Sequence, residues 1–186
     1  MNKLDFIEKY KMYEISDKEN FIIDIIYNTN NNFLNKKIYE KPICMLRYNT
    51  FLKLNNANKI LNKMGYKLKI WDSFRPLKYQ EIMWEKFPNE LFVVNPKKGK
   101  CNHCKGSAVD VTLCTLDGEE VKMPTEFDHF GIESFRNNYD KLDKETKYNV
   151  LLLENTMKQC GFKPFPSEWW HFDDEDEYEL IKEVFD

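Results

Sequence analysis

Two of the chain's three histidines lie near acidic residues, in segments rich in apolar and aromatic side chains. His103 is followed by Asp110, and His171 is preceded by Glu168. Neutral imidazole and carboxylate groups are common zinc ligands, and a catalytic zinc has three protein ligands and an open position for water. His103, Asp110 and His171 would supply two nitrogen ligands and one oxygen ligand. Glu168 would then stand beside the water as a general base.

The spacing of these residues requires particular backbone shapes. His103 and Asp110 are seven positions apart, which fits no ligand pair on one helix, so we expect a loop followed by a strand to bring them together. Gly106 favours a bend between them. Glu168 and His171 are three positions apart and would point to opposite faces of a regular strand. A bend or bulge is therefore expected if both side chains face a metal.

Taken singly, these residues also have purely structural explanations. A histidine near a carboxylate is more often a surface residue or a satisfied core residue than a metal ligand. Residues 168–171, Glu-Trp-Trp-His, would also suit a buried aromatic strand with polar ends. Arg75 would also suit a structural ion pair with Asp72.

A Cys-x-x-Cys pair, Cys101 and Cys104, encloses His103. A closed structural zinc site needs four ligands, and the sequence holds no second such pair. The remaining cysteines stand singly, at Cys44, Cys114 and Cys160. A redox pair is also disfavoured, because no helix is predicted to begin there.

Length, charge and the N-terminal segment bound the function classes. The 186 residues leave room for one ordinary domain. With 28 basic and 31 acidic residues the net charge is −3 and the pI is near 5.8, which argues against nucleic-acid binding through bulk charge. No apolar run approaches the roughly 20 residues that span a bilayer, so no membrane partner is expected. Residues 1–18 lack the apolar stretch of a secretory signal, which predicts a cytoplasmic protein with reduced cysteines.

The apolar pattern predicts strands and helices that mix without a regular strand–helix–strand repeat. We expect a helix capped by Thr50 and closed by Gly65, and an acidic turn at 173–177 that leads into a last helix. The predicted strands are 21–27, 67–72, 107–114 and 120–123, and the other predicted helices are 77–87, 146–160 and 177–185. The expected fold class is α+β: a single domain over residues 1–186, with a largely antiparallel central sheet, flanking helices and the zinc site at the sheet.

Three segments, taken together and in order, resemble the D-alanyl-D-alanine dipeptidases of the VanX type. That family carries Ser-x-His-x-x-Gly-x-Ala-x-Asp, then Glu-Trp-Trp-His, with a Tyr/Phe-Arg-Pro segment upstream. Here Phe-Arg-Pro occupies residues 74–76, the stretch from His to Asp occupies 103–110, and Glu-Trp-Trp-His occupies 168–171. The likeness extends over residues 21–172, and three motifs in one order are more specific than any one of them.

The resemblance implies a zinc metallopeptidase that hydrolyses the small dipeptide D-Ala-D-Ala, with one Zn²⁺ per chain. It implies zinc ligation by His103, Asp110 and His171. Glu168 would be the catalytic base and would later protonate the leaving amine. Arg75 would stabilise the oxyanion.

The resemblance also implies how the substrate is held. Asp128 matches the family's acidic residue near the substrate's free amino group, and Tyr27 matches a tyrosine near the same end. One position departs from the family pattern, since the serine two places before the zinc histidine is Cys101 here. A thiol is a weaker hydrogen-bond donor than a hydroxyl, so this replacement bears on substrate affinity.

Three other functions stay open from the sequence. One is a zinc carboxypeptidase or endopeptidase of related fold that cuts longer cell-wall peptides. Another is a protein that retains zinc and binds a dipeptide without turnover, and the last is a structural protein without metal. A dipeptidase would serve either defence against a cell-wall antibiotic or recycling of D-Ala-D-Ala.

Overall fold

The apolar segments of the sequence form four α-helices and seven short strands over residues 1–185, the part of the chain that the computed structural model describes. Short 3₁₀ turns connect several of them. In chain order the elements are α1 Lys3–Tyr10, β1 Met12–Glu14, β2 Ile22–Ile23, β3 Met45–Arg47, α2 Tyr48–Lys63, β4 Tyr66–Asp72, α3 Leu77–Lys86, β5 Ala108–Thr115, α4 Lys144–Gln159, β6 Phe162–Pro164 and β7 His171–Asp174.

The main sheet has five strands in the order β2-β4-β5-β7-β6. Only β2 and β4 are parallel, and the other three pairs are antiparallel. Strands β1 and β3 form a separate antiparallel pair. The predicted α+β class with a largely antiparallel central sheet and flanking helices is therefore confirmed.

Strand β5 lies in the middle of this sheet because its sequence suits burial on both faces. Val109, Val111 and Leu113 alternate with Asp110 and Thr112, so the apolar and polar sets point to opposite faces. All five side chains are at most 3% exposed. The apolar set belongs to the hydrophobic core, to which the buried stripes of α2 and α4 also contribute. The polar face is left for the functional groups.

Several predicted elements are confirmed with shifted ends. Strands β4 and β5 and helices α3 and α4 match the predicted 67–72, 107–114, 77–87 and 146–160. The predicted strand 21–27 contains only the two residues of β2, followed by a 3₁₀ turn at Ile26–Asn28. The predicted return strand 120–123 forms one isolated bridge, between Glu120 and Cys114. Helix α1 was not predicted.

Thr50 is not the cap of helix α2. The helix begins at Tyr48, whose backbone N–H donates to the Lys11 carbonyl, so Thr50 lies inside the first turn. Its hydroxyl is buried and donates to the carboxylate of Asp174. The Thr50 hydroxyl, which the sequence pattern assigned to capping the helix, thus makes a tertiary hydrogen bond to Asp174 instead.

The predicted helix at 177–185 is wrong, and Asp186 lies outside the described residues. Residues 177–185 form neither a helix nor a strand, because their backbone groups bond to other segments: the Ile181 N–H donates to the Cys104 carbonyl, and the Glu179 carbonyl accepts from Arg47. The acidic cluster before them is not a purely solvated turn either. Asp174 is buried and pairs with Lys53.

No helix within residues 1–185 is both long enough and apolar enough to cross a membrane.

Gly106 is required by backbone shape, and the flexible end of the buried Met12 side chain crowds the position. Its φ is +72°, and a Cβ there would lie 2.9 Å from Met12 Cε. Its carbonyl also accepts from the Arg47 N–H, at 2.8 Å. We expect Gly106→Ala to lower the free energy of unfolding by about 2 kcal/mol, measured by urea denaturation.

Gly99→Ala is the matched control, because Gly99 has a similar φ of +63° but open space around its Cβ position. It should cost only the left-handed strain of about 1 kcal/mol. Equal losses in the two variants would contradict the crowding at Gly106.

Candidate active site

Strand register brings three functional residues side by side. Asp110 on β5 pairs with Asp72 on β4 and with His171 on β7. The pairing between β4 and β5 shifts between Ile70 and Asp72, so a bulge brings Asp72 into line with Asp110. Cross-strand neighbours on one face lie about 5 Å apart, which is close enough for their side chains to share a ligand.

His103 reaches the same place from a 3₁₀ turn, His103–Lys105, that precedes β5. Gly106 ends this turn in the left-handed conformation, and the Arg75 N–H donates to the His103 carbonyl at 3.1 Å. The loop and strand predicted between His103 and Asp110 are therefore present, with the bend at Gly106.

The three predicted ligand residues converge on one point. His103 Nε2 lies 3.2 Å from His171 Nδ1 and 3.3 Å from Asp110 Oδ2, and His171 Nδ1 lies 3.0 Å from Asp110 Oδ1. Tetrahedral zinc with bonds of 2.0–2.1 Å separates its ligand atoms by about 3.3 Å. The residues present therefore fit a tetrahedral metal with one further position.

Second hydrogen bonds orient both imidazole rings toward that point. His103 Nδ1 lies 2.7 Å from the Ser73 carbonyl oxygen, and His171 Nε2 lies 3.0 Å from Asp173 Oδ1. With these oxygens as acceptors the two outer nitrogens carry protons, and in a metal-bound form the nitrogens that face each other would offer their lone pairs to the ion. Metal-binding histidines commonly have such partners.

The surrounding charges stabilise a cation between the histidines. Although burial lowers it, the Asp110 carboxylate raises the pKa of His103 above its ordinary value. Burial likewise opposes the rise at His171, but Asp173 and Asp110 hold its pKa well above the ordinary value. A metal ion at this point would take the place that a proton otherwise fills.

Glu168 stands beside the three candidate ligands, because the chain bends between Glu168 and His171 as predicted. The His171 N–H donates to the Glu168 carbonyl in a turn just before β7, and Glu168 Oε2 lies 3.7 Å from His171 Nδ1. Burial raises the pKa of Glu168 to about 7, although the nearby histidines oppose the shift. A carboxyl group in this range exchanges protons near neutral pH.

Arg136 holds this turn and was missed in the sequence. Its Nη2 donates to the carbonyls of Glu168 and His171, at 3.0 and 2.9 Å, and its Nε donates to the Phe165 carbonyl at 2.8 Å. The guanidinium also pairs with Glu154. Its partners are mostly backbone oxygens, so no motif in the sequence marked it.

Arg75 is both an ion-pair partner and a cavity residue. Its Nε and Nη2 donate to Asp72 Oδ2 at 3.0 and 2.7 Å, as the structural explanation of Arg75 requires. Its Nη1 donates to Gln80 Oε1 at 2.7 Å, and the guanidinium lies 5.1 Å from the centre of the Tyr27 ring. Three of its five N–H groups are thus bonded within the described residues, which leaves two for a ligand.

Tyr27 and Asp128 lie together at another part of the cavity. The Tyr27 hydroxyl donates to Asp128 Oδ1 at 3.0 Å, and the backbone of Asp128 is left-handed, with a φ of 58°. Burial raises the pKa of Asp128 well above its usual range, against the hydrogen bond from Tyr27. A ligand's ammonium group would stabilise the ionised carboxylate there.

All eight candidate residues line one cavity of about 330 Å³. Cys101 is among them, and its thiol donates to Gln80 Oε1 at 3.4 Å. Aromatic rings also border the cavity: Phe92 and Phe130 stack at 4.6 Å, and Phe33 lies 5.1 Å from Phe130. The eight candidates are Tyr27, Arg75, Cys101, His103, Asp110, Asp128, Glu168 and His171.

Comparison with known families agrees with this arrangement. The M15 peptidase model described as "D-ala-D-ala dipeptidase" matches residues 15–186, nearly the whole chain. The chain belongs to this family. It is therefore a hydrolase and a metallopeptidase of the dipeptidase family.

Curated relatives support the family over most of their length. The chain is 31% identical over 151 residues to the D-alanyl-D-alanine dipeptidase of Escherichia coli K12, and the alignment covers 81% of this chain and 77% of the relative. It is 30% identical over 182 residues to that of Enterococcus faecalis, covering 87% of each. It is 29% identical over 169 residues to that of Enterococcus faecium, covering 80% of this chain and 83% of the relative.

Asp173 is expected to tune metal binding through His171. Asp173→Asn keeps a hydrogen-bond acceptor but removes the charge that polarises the imidazole, so zinc affinity should fall about tenfold. The affinity would be measured by competition with a fluorescent zinc chelator.

Asp176→Asn is the control, because Asp176 pairs with Lys53 rather than with the His171 imidazole. Its zinc affinity should stay within about twofold of the unchanged protein. Equal losses in both variants would show that only general surface charge matters.

Proposed function

We propose that this enzyme hydrolyses the dipeptide D-Ala-D-Ala with one zinc ion held by His103, Asp110 and His171. The observation that carries the proposal is the convergence of these three ligand atoms, within 4.8 Å of one another, at the wall of a small cavity. The printed names of the curated relatives support the choice of substrate.

Glu168 has the position and the proton affinity of a general base. When bound, zinc lowers the pKa of a coordinated water to about 7 and polarises the scissile carbonyl. Glu168 takes the proton of the attacking water and delivers it to the departing amine. The fold holds it for both transfers, because Arg136 fixes its carbonyl and burial raises its pKa to about 7.

Arg75 faces the charge that develops on the carbonyl oxygen. One of its two remaining N–H groups can donate there, while Asp72 and Gln80 hold the guanidinium in one orientation. Donors fixed before the reaction need no reorganisation when charge appears, which is the basis of oxyanion stabilisation.

The two ends of a zwitterionic dipeptide need opposite partners. Asp128, oriented by the Tyr27 hydroxyl, receives the ammonium group. Cys101 offers a thiol toward the other end, a weaker donor than the family's serine. We therefore propose that the carboxylate depends more on Arg75 and on backbone N–H groups than it does in relatives with serine.

Cavity size favours a dipeptide over longer cell-wall peptides. About 330 Å³ is near the lower limit of small-molecule sites, and aromatic rings border it. We expect these rings to exclude the additional residues of a longer peptide by steric clash.

The primary test measures alanine release from D-Ala-D-Ala by the zinc-loaded, reduced protein. Glu168→Gln should lower kcat by at least about a hundredfold and leave zinc bound, because it removes the proton carrier and no ligand. His171→Ala should instead lose the metal, as elemental analysis would show. L-Ala-L-Ala and a chelator-treated sample run in parallel.

Two outcomes would contradict this assignment. Near-normal kcat in Glu168→Gln at full zinc occupancy would remove Glu168 from the mechanism. Absence of alanine release by the unchanged protein at full zinc occupancy would overturn the dipeptidase and favour dipeptide binding without turnover.

Substrate length tests the aromatic border. The unchanged enzyme should prefer D-Ala-D-Ala to a tripeptide or pentapeptide ending in D-Ala-D-Ala by at least about a hundredfold in kcat/KM. Phe92→Ala should narrow that ratio, because Phe92 lines the cavity. Phe135→Ala is the control, since Phe135 packs against Phe92 at 6.3 Å but does not line the cavity. Preference for the longer peptides would instead indicate a carboxypeptidase or endopeptidase.

A further inference from the structure

The Cys-x-x-Cys pair around His103, for which the sequence disfavoured a redox role, has its two thiols in contact. Cys101 Sγ and Cys104 Sγ lie 2.8 Å apart, and the Cys104 N–H donates to Cys101 Sγ at 3.3 Å. Both cysteines are reduced in this structure. The 3₁₀ turn that begins at His103 folds the chain back so that the two side chains meet.

The two thiols differ in their access to small molecules. Cys101 lines the active-site cavity beside Arg75 and Gln80, whereas Cys104 is fully buried behind it and does not line the cavity. A small reagent that enters the cavity therefore meets Cys101 first. Cys104 is already in place as the second thiol.

We propose that Cys101 and Cys104 are a modification site, at which hydrogen peroxide forms a reversible intramolecular disulfide. The Cys101 sulfur attacks one peroxide oxygen, the O–O bond breaks, and the departing hydroxide takes a proton to become water. The Cys104 sulfur then attacks the resulting sulfenic acid, the S–O bond breaks, and a second water leaves. Two thiols are oxidised, one peroxide is reduced, and the thiol protons end in the two waters.

Zinc does not take part in this electron balance, because Zn²⁺ has no redox chemistry. The geometry also asks little of the protein, since sulfurs in contact need only a small approach to reach the roughly 2.05 Å of a disulfide. The reduced state is the starting point that a reducing compartment would maintain.

The disulfide changes the site in two ways. In the reduced protein the Cys101 S–H donates to Gln80, the residue that also accepts from Arg75, and oxidation removes this donor. The new bond also closes a ring around the turn that carries His103. Resting on the proposed function, the effect expected on hydrolysis is a loss of at least about tenfold in kcat/KM, restored by a dithiol reductant.

The test treats the zinc-loaded protein with a small excess of hydrogen peroxide and counts thiols after denaturation. The count should fall from the five cysteines of the chain to three, and the intact mass should fall by the two hydrogen atoms that are lost. A peptide map should link Cys101 to Cys104, and dithiothreitol should reverse both changes.

Variants separate this pair from the other thiols. Cys104→Ser and Cys101→Ser should each abolish the loss of two hydrogens. Cys160→Ser is the matched control, because Cys160 lies outside the cavity, and it should still lose two thiols. If Cys101→Ser or Cys104→Ser does not fold, the thiol count, the mass and the peptide map of the unchanged protein and of Cys160→Ser still decide the proposal.

The outcomes decide the proposal without any assay of hydrolysis. A constant thiol count, a mass gain from added oxygen, or a disulfide that links other cysteines would overturn it. A correct disulfide in a protein that never hydrolyses D-Ala-D-Ala would support the site and overturn only the proposed function. A correct disulfide with unchanged hydrolysis would overturn the effect on activity.

Discussion

The cost of burying two adjacent carboxylates governs how this site is built. Asp72 and Asp110 are cross-strand partners, at most 3% exposed, in the middle of the sheet. An unpaired charge in that position would cost several kcal/mol, so each carboxylate needs its own cation. Asp72 has the guanidinium of Arg75, and Asp110 has the two imidazoles. The site's cationic groups are thus also conditions for folding.

This charge balance divides the cavity into distinct tasks. Asp72 holds Arg75 in a fixed orientation, because its Oδ2 accepts from both Nε and Nη2 of the guanidinium. Asp110 pairs with both histidines. Glu168 and Asp128 stand near these pairs without a full counter-charge, and burial raises the pKa of both. Groups in that condition are the ones that gain most from an incoming ammonium or from a proton in transit.

Prediction from the sequence succeeded where a local pattern and a chemical type coincide. The β-branched residues of β5 predicted a strand, and Gly106 predicted the bend that lets His103 join Asp110. Three motifs in order led to the family. The separation of Glu168 and His171 predicted a bend before β7, which the structure has.

Prediction failed where distant backbone groups compete for a segment. Residues 177–185 have an apolar pattern suited to a helix, but their backbone groups bond to Cys104 and Arg47. Thr50 has the right type for a cap, but Asp174 takes its hydroxyl. Arg136 donates to backbone carbonyls 29 to 35 positions away. Every residue has a backbone carbonyl, so the sequence does not mark which ones Arg136 contacts. Helix propensity and capping are weak preferences that such contacts override.

The separation of the candidate ligands along the chain has a consequence for the order of assembly. His171 lies 61 positions from Asp110 and 68 from His103, so the three never meet in a short segment. During synthesis β4 and β5 emerge well before β7, and a sheet built only from them offers two ligands. Two ligands hold zinc poorly, so we expect a metal to bind only after β7 has docked. Until then the nascent sheet carries Asp110 without its His171 partner, and closing that long loop is the step that completes the candidate metal site.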